Sequence, residues 1–143
     1  IAEVGGHPNW IRERSRPVGM RLVTPLWGRD RSALLQRLLT LRFNVVFSCV
    51  KTRWLAADWV GRELDPSPIG GLRVPGPEDP GLGAVRARNG LDLCGEEGEY
   101  HTLVTDAPDF NRRLHLVASR VRERDDLAYL EIDRAELADK TYN

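Results

Sequence analysis

The segment DLCGEEGEYHTLVTDAP (92–108) places four carboxylates, Asp92, Glu96, Glu97 and Glu99, beside Cys94 and His101. Two Gly-Glu steps, Gly95-Glu96 and Gly98-Glu99, supply hinges that permit tight or left-handed turns. If Glu99 opens a strand, Glu99, His101 and Leu103 face one way and Tyr100, Thr102 and Val104 the other. Glu96, Glu99 and His101 then converge on one cavity. Close carboxylates raise one another's proton affinity, and an imidazole can share the proton load. Such a cluster can bind a cation, ammonium or magnesium included, or act as a base. The same residues also suit a solvated turn, with Glu96 and Glu97 in water and Glu99 paired to an arginine. A zinc site from Cys94, His101 and a carboxylate lacks the usual paired ligand spacing. A Cys94–His101 nucleophilic pair lacks an orienting group.

Two further constellations carry candidate binding residues. In PLWGRD (25–30), Trp27 and Gly28 lead into a helix whose free N–H groups, with Arg29, can meet a phosphate or carboxylate. The alternative is a Pro-Leu-Trp anchor in the core, with Asp30 capping the helix. In WVGRELD (59–65), Arg62 and Asp65 can reach a site or form a surface ion pair beside a packed tryptophan. The chain contains no GxxxxGK[ST] and no GxGxxG, so nothing in it cradles a triphosphate unaided.

The elements that must position these residues follow from local patterns. PNWIRERSRPV (8–18) predicts a helix with Pro8 in its first turn, stopped by Pro17. Met20 to Val23 reads as a short strand ending before Pro25. Asp30 caps RSALLQRLLTLRF, where Leu34, Leu35, Leu38, Leu39 and Leu41 gather on one side. NVVFSCVK (44–51) suits a buried strand, and strand–helix–strand within this span predicts a βαβ crossover. One or two helical turns ended by Gly61 follow, then a Pro/Gly-rich loop over 66–83 and a short helix over 84–89. Tyr100 to Thr105 reads as a strand. Residues 112–124 and 127–133 form a hairpin turning at Asp125-Asp126, and RAELADKTYN ends in a short helix or frays. The class is α/β (α+β): a βαβ unit followed by a mostly antiparallel region.

Bulk composition narrows the function classes. The 143 residues carry no net charge and are 41% hydrophobic, enough for a core and without the basic stripe of a nucleic-acid binder. No apolar run is long enough to span a bilayer. Cys49 and Cys94 sit in unlike contexts, which fits a reducing compartment. Arginine supplies 19 of the 21 basic residues, with only Lys51 and Lys140 as lysines, and we read that as composition bias. The opening Ile1 suggests a piece of something longer.

Taken in order, PLWGRD, WVGRELD and CGEEGEYHTLVTDAPDF resemble the diphthine–ammonia ligase family. These are ATP-pyrophosphatase-type proteins of the adenine nucleotide α-hydrolase-like fold. The family's run is close to C-G-E-x-G-E-[YF]-x-T-x-V-x-D-x-P-x-F. This chain matches it at Cys94, Gly95, Glu96, Gly98, Glu99, Tyr100, Thr102, Val104, Asp106, Pro108 and Phe110. Pro25, Leu26 and Trp27 carry the Pro-Leu-Trp element, and Trp59, Gly61, Arg62, Leu64 and Asp65 the Trp-x-Gly-Arg-x-Leu-Asp element. His101 resembles the branch that reads Glu-[Tyr/Phe]-His-Thr, whereas Asp109 stands where relatives often carry an apolar residue.

The resemblance implies an AMP-forming amidation in the cytoplasm, with ATP and Mg2+ as cofactors. ATP adenylates the carboxylate of diphthine, a modified histidine on translation elongation factor two, and ammonia displaces AMP to give diphthamide. The implied catalytic residues are Glu96, Glu99 and His101, which would bind or deprotonate ammonium, orient the acyl-adenylate or accept the proton. Trp27, Gly28, Arg62, Gly95, Gly98 and Thr102 are the implied substrate- or nucleotide-binding positions. No metal ligand, nucleic-acid partner or membrane partner is expected, and a monomer and a homodimer are both compatible with the sequence. The family's Ser-Gly-Gly-x-Asp-Ser loop is absent, so residues 1–143 are expected to form one domain, the C-terminal, substrate-side half of a longer protein. The alternative is a non-catalytic docking domain derived from the same family.

Overall fold

The computed structural model describes residues 3–4, 7–8, 10–64 and 81–140. Strands β1 (Glu3–Val4) and β2 (His7–Pro8) pair antiparallel, and helix α1 (Trp10–Ser15) runs into a 3-10 turn at Arg16–Val18. Helix α2 (Arg31–Thr40) starts where the sequence predicts, because the Asp30 carboxylate accepts the N–H of Ala33 at 2.8 Å. At its other end, Arg42 N–H donates to Leu39 O and Phe43 N–H to Leu38 O, which closes a Schellman turn. Arg42 takes the left-handed position, φ 62°, that glycine would normally fill.

Strand β3 (Asn44–Lys51) is the structural centre. On one edge it pairs antiparallel with β4 (Tyr100–Asp106), from Asn44↔Asp106 to Val50↔Tyr100. Its other edge is shared. Phe47 N–H and Leu64 N–H tie residues 62–64 to the first half of β3, and Cys49 to Lys51 pair with the start of β6 (Leu127–Asp139). Strand β5 (Arg112–Arg124) then pairs with β6 along its whole length, giving the order β4-β3-β6-β5. The two-residue turn is Asp125-Asp126, with Asp125 at φ 55°, a conformation aspartate tolerates.

The core lies on one face of this sheet. Phe47, Val50 and Ala128 are fully buried there, against Leu55, Trp59 and Val60 of the following turn and Leu82 and Val85 of α3 (Gly81–Asn89). Leu91 and Leu93 complete it just ahead of the acidic segment. Phe47 meets both Trp59 and Tyr100 edge-on, with ring centroids 5.4 and 5.0 Å apart. From α2 only Leu39 is buried, with Leu35 and Leu38 packed alongside, while Leu41 remains exposed.

The α+β class stands, with several local corrections. No βαβ unit forms among the described residues. Met20 to Val23 are irregular, with all but the half-buried Leu22 exposed, confined between left-handed Gly19 and the turn at Thr24–Gly28, and every strand pair is antiparallel. Pro8 lies in a strand and the first helix begins only at Trp10. Of the helical turns expected before Gly61, the chain keeps a single 3-10 turn, Ala57–Trp59. Helix α3 begins at Gly81, inside the expected loop, and the rest of that loop with Asp65 lies outside the described residues. Residues 134–139 extend β6 because their backbone pairs with Arg112 to Ala118, and cross-strand pairing outweighs the helix propensity of Ala, Glu and Leu.

Candidate functional site

The acidic segment folds as two successive tight turns between the core and β4. Asp92 begins them. Its carboxylate pairs with the Arg31 guanidinium at the start of α2 and accepts the N–H of Cys94 at 2.7 Å, an Asx turn. Gly95 N–H donates to Asp92 O (3.1 Å) and Gly98 N–H to Gly95 O (3.0 Å). Both glycines adopt positive φ, 67° and 77°. At Gly95 the requirement is doubled, since a Cβ would stand 2.9 Å from Tyr100 O and 3.2 Å from its ring.

Glu99 closes the second turn from inside. It is 2% exposed, its Oε1 accepts Asp92 N–H and its Oε2 accepts Glu97 N–H, each at 3.0 Å. Its carbonyl accepts Lys51 N–H at 2.8 Å, which ties the loop to β3. Tyr100, also buried, donates its hydroxyl to Leu93 O. Burial raises its phenol pKa, and the neighbouring Cys94, Glu99 and Glu96 raise it further.

Over this frame lies a cleft of about 380 Å³, lined by Cys94, Gly95, Glu96, Gly98, Tyr100, His101 and Thr102. Glu96, His101 and Thr102 are exposed and face solvent. The Cys94 thiol is half-buried and donates weakly to Arg31 O at 3.7 Å. Burial raises its pKa most, Arg31 pulls it down, and Glu96 and Asp30 push it up again. A cation or neutral amine fits this wall better than an anion, because Glu96 brings a carboxylate to it.

Five of the nine positions singled out in the sequence therefore line one cleft with Tyr100: Glu96, His101, Gly95, Gly98 and Thr102. The other four do not line it. Glu99 was expected on the same face as His101, but its carboxylate turns inward to the loop backbone. Trp27 and Gly28 form an exposed turn in which Trp27 N–H donates to Thr24 O, so they neither line the cleft nor anchor the core. Arg62 pairs with Asp58 and lies over the Trp59 ring at 5.7 Å, while Asp65, the partner expected for it, lies outside the described residues. Two residues escaped sequence reasoning. Arg31, rather than Arg29, braces the segment, and Lys51 brings its ammonium to 3.6 Å from where a Gly98 Cβ would stand.

Over residues 30–138 the chain matches the diphthamide synthase C-terminal domain. It belongs to that family. The matched span begins at the α2 cap and includes the whole cleft. Two curated relatives are similar in sequence. A diphthine–ammonia ligase of Bos taurus is 28% identical over 97 residues, covering 67% of this chain and 32% of the relative. A diphthine–ammonia ligase of Schizosaccharomyces pombe is 27% identical over 117 residues, covering 80% and 18%. The chain thus spans less than a third of either relative's length.

The cleft of this diphthamide synthase C-terminal domain does not suit the triphosphate of the ATP that the resemblance implies. A triphosphate needs several cationic or N–H donors converging on it, whereas the cleft wall presents a carboxylate. Among the described residues no group of three or more His, Cys, Asp or Glu is placed to hold a metal ion. No helix among them is long and apolar enough to cross a membrane.

Proposed function

We propose that this domain supplies the amine side of an ATP-dependent amidation, with diphthine on translation elongation factor two as the acid and ammonium as the amine, in the cytoplasm. The observation that carries the reading is the cleft itself. The segment matching the diphthine–ammonia ligase run forms its wall, with Glu96 and His101 open to solvent and the frame beneath them tied by the Glu99 hydrogen bonds.

In this reading the Glu96 carboxylate binds ammonium by charge-assisted hydrogen bonds. His101 takes one proton from the ammonium nitrogen, and the freed lone pair attacks the activated acyl carbon. The bond from that carbon to its leaving group breaks, the leaving group keeps the electron pair, and the second surplus proton passes to solvent. The Thr102 hydroxyl, which lines the same cleft, hydrogen-bonds the incoming nitrogen. Glu99 positions the wall from beneath, and Tyr100 forms part of it. Activation of the carboxylate would fall to ATP with Mg2+, whose triphosphate the cleft wall does not suit.

A second reading, a docking domain without catalysis, is favoured by one observation. Trp10, Ile11, Val18, Met20, Val23, Leu26 and Trp27 are all more than 40% exposed. One experiment separates the two: ammonium-dependent AMP release by the full-length protein, wild type against Glu96→Gln. The amidation reading expects kcat/KM for ammonium to fall about 100-fold or more with the unfolding midpoint unchanged. Wild-type protein that releases no AMP, or a variant with unaltered kcat/KM, would falsify it and leave the docking reading.

A further inference from the structure

We propose that the free edge of β4 is a docking strand, on which an extended, basic segment of the protein bearing the amidated carboxylate pairs beside the cleft. This rests on the amidation reading and extends it to the way the second substrate is held. Among the described strands, β4 and β5 are the two edges of the sheet. On β3, Phe47 and Val45 use their backbone groups on the side away from β4. Phe47 N–H donates to Arg62 O, Gly61 N–H to Phe47 O and Leu64 N–H to Val45 O. In an antiparallel ladder such residues stand opposite non-hydrogen-bonded partners, here Thr102 and Val104. The N–H and C=O of Thr102 and Val104 therefore point outward, and no other described residue bonds them.

Residue types mark the same edge. Edge strands are commonly guarded against pairing by charged side chains or proline. Strand β5 follows that rule, with five arginines between Arg112 and Arg124. Residues 100–105 of β4 hold no lysine, arginine, carboxylate or proline. The cleft opens at this bare edge, because its lining includes the consecutive residues Tyr100, His101 and Thr102, whose side chains alternate across the sheet. A strand laid against Thr102 and Val104 therefore passes the wall that bears Glu96. Charge complementarity gives the character of that strand. Residues 91–111 contain six carboxylates and no lysine or arginine. Asp92 and Asp106 are paired with Arg31 and Lys140, and Glu99 is turned inward. Glu96, Glu97 and Asp109 are exposed and have no ion-pair partner among the described residues. Main-chain pairing then supplies affinity, and the carboxylates beyond either end of β4 select a basic segment.

Amide hydrogen exchange on the full-length protein tests the assignment, with translation elongation factor two carrying diphthine as the probe. At about ten times its Kd the factor should slow exchange of Thr102 and Val104 N–H about ten-fold. Leu103 N–H, which faces β3, should change less than about two-fold. No slowing at Thr102 and Val104 overturns the proposal. Two other outcomes overturn it as well. Slowing that follows the protein's own concentration without the factor assigns the edge to a second copy, and slow exchange in the free monomer assigns it to another part of the same protein. Kinetics give a second readout. Val104→Pro removes one outward donor, a change that an edge strand tolerates, and should raise KM for the diphthine-bearing protein at least about three-fold. KM for ammonium should stay within about two-fold, and equal changes in both overturn the proposal. Should this variant unfold, exchange in the wild type decides alone. Glu97→Gln with Asp109→Asn should raise Kd about three-fold or more at low salt, and an unchanged Kd overturns the basic partner. Slowed exchange in a protein that releases no AMP upholds the docking edge and overturns the amidation reading. AMP release without slowed exchange does the reverse.

Discussion

Glu99 reaches back seven residues to accept the N–H of Asp92, and its second oxygen accepts the N–H of Glu97, so one buried carboxylate fixes both ends of the turn that carries Glu96. A glutamine at position 99 retains one acceptor and turns an NH2 group towards the other donor. Glu99→Gln should therefore cost about 1–3 kcal/mol, measured as a drop in the urea midpoint at constant slope. Glu96→Gln, at an exposed position, should stay within about 0.5 kcal/mol of wild type. Equal losses for the two variants would show that the buried carboxylate does not organise the loop.

The two hinge glycines differ in what surrounds them. An alanine at 95 meets both a left-handed backbone and the Tyr100 carbonyl at 2.9 Å, whereas an alanine at 98 meets the strained backbone but only Lys51 Nζ at 3.6 Å. Gly98→Ala should cost about 1 kcal/mol and Gly95→Ala about 1–3 kcal/mol more. Thermal unfolding of the pair reads the difference directly. A smaller loss at 95 than at 98 would contradict the close approach.

Alkaline pH should probe the Tyr100 anchor. Burial first, then Cys94, Glu99 and Glu96, raise its phenol pKa above the ordinary value of about 10. The folded protein therefore holds this proton more tightly than the unfolded chain. Its contribution is fully present below pH 10 and is lost progressively above it. Tyr100→Phe should flatten the alkaline decline and lower the neutral plateau by about 1 kcal/mol, through loss of the hydrogen bond to Leu93 O. Urea titrations at pH 8 and above pH 10 check both effects.

Cys94 gives a chemical measure of the same environment. With its thiol pKa raised, Cys94 should react with iodoacetamide more slowly than a free thiol at pH 8. Arg31 is the one neighbour pulling that pKa down. Arg31→Ala should therefore slow the reaction further, and peptide mass spectrometry distinguishes it from reaction at Cys49. Acceleration in the variant would show that Arg31 shields the thiol rather than stabilising the thiolate.

Arg42 offers a stabilising change. At φ 62° it pays the left-handed penalty of a side chain in a Schellman turn. Arg42→Gly should raise stability by up to about 1 kcal/mol, the relief being partly offset by the extra freedom of glycine in the unfolded chain. A lower melting temperature for this variant would mean that Arg42 makes contacts worth more than its strain.

Local rules made much of the sheet legible. Asp30 as a cap, the β-branched run at 45–50, the strand at 100–105 and the Asp125-Asp126 turn each depend on neighbours in sequence, and each is where the pattern puts it. Pairing between distant segments was not legible. Residues 134–139 read as helix formers until β5 is seen beside them, and Met20 to Val23 read as a strand although no partner among the described residues pairs with them. The motif located the cleft, but alternation misplaced Glu99. That residue lies one position before β4 begins, where the chain is still turning and the two-residue alternation does not yet apply. Lys51 was hidden for a related reason, since its approach to Gly98 brings the end of β3 to a turn far from it in sequence.

The hairpin of β5 and β6 is supported near both of its ends. By its turn, Leu127 to Tyr129 join β3; at the other end, the ammonium of Lys140, 9% exposed, pairs with Asp106 and donates to Ala107 O. Between these supports Leu130 packs against the core, and beyond it the ladder of the ribbon is interrupted by register shifts between Leu116 and Ser119. In mechanical terms it is a beam pinned at both ends with a joint in the middle of its span. A load on such a beam makes the middle bow while the ends stay in place, so pressure on the ribbon's exposed face is not transmitted as leverage to the cleft beside β4.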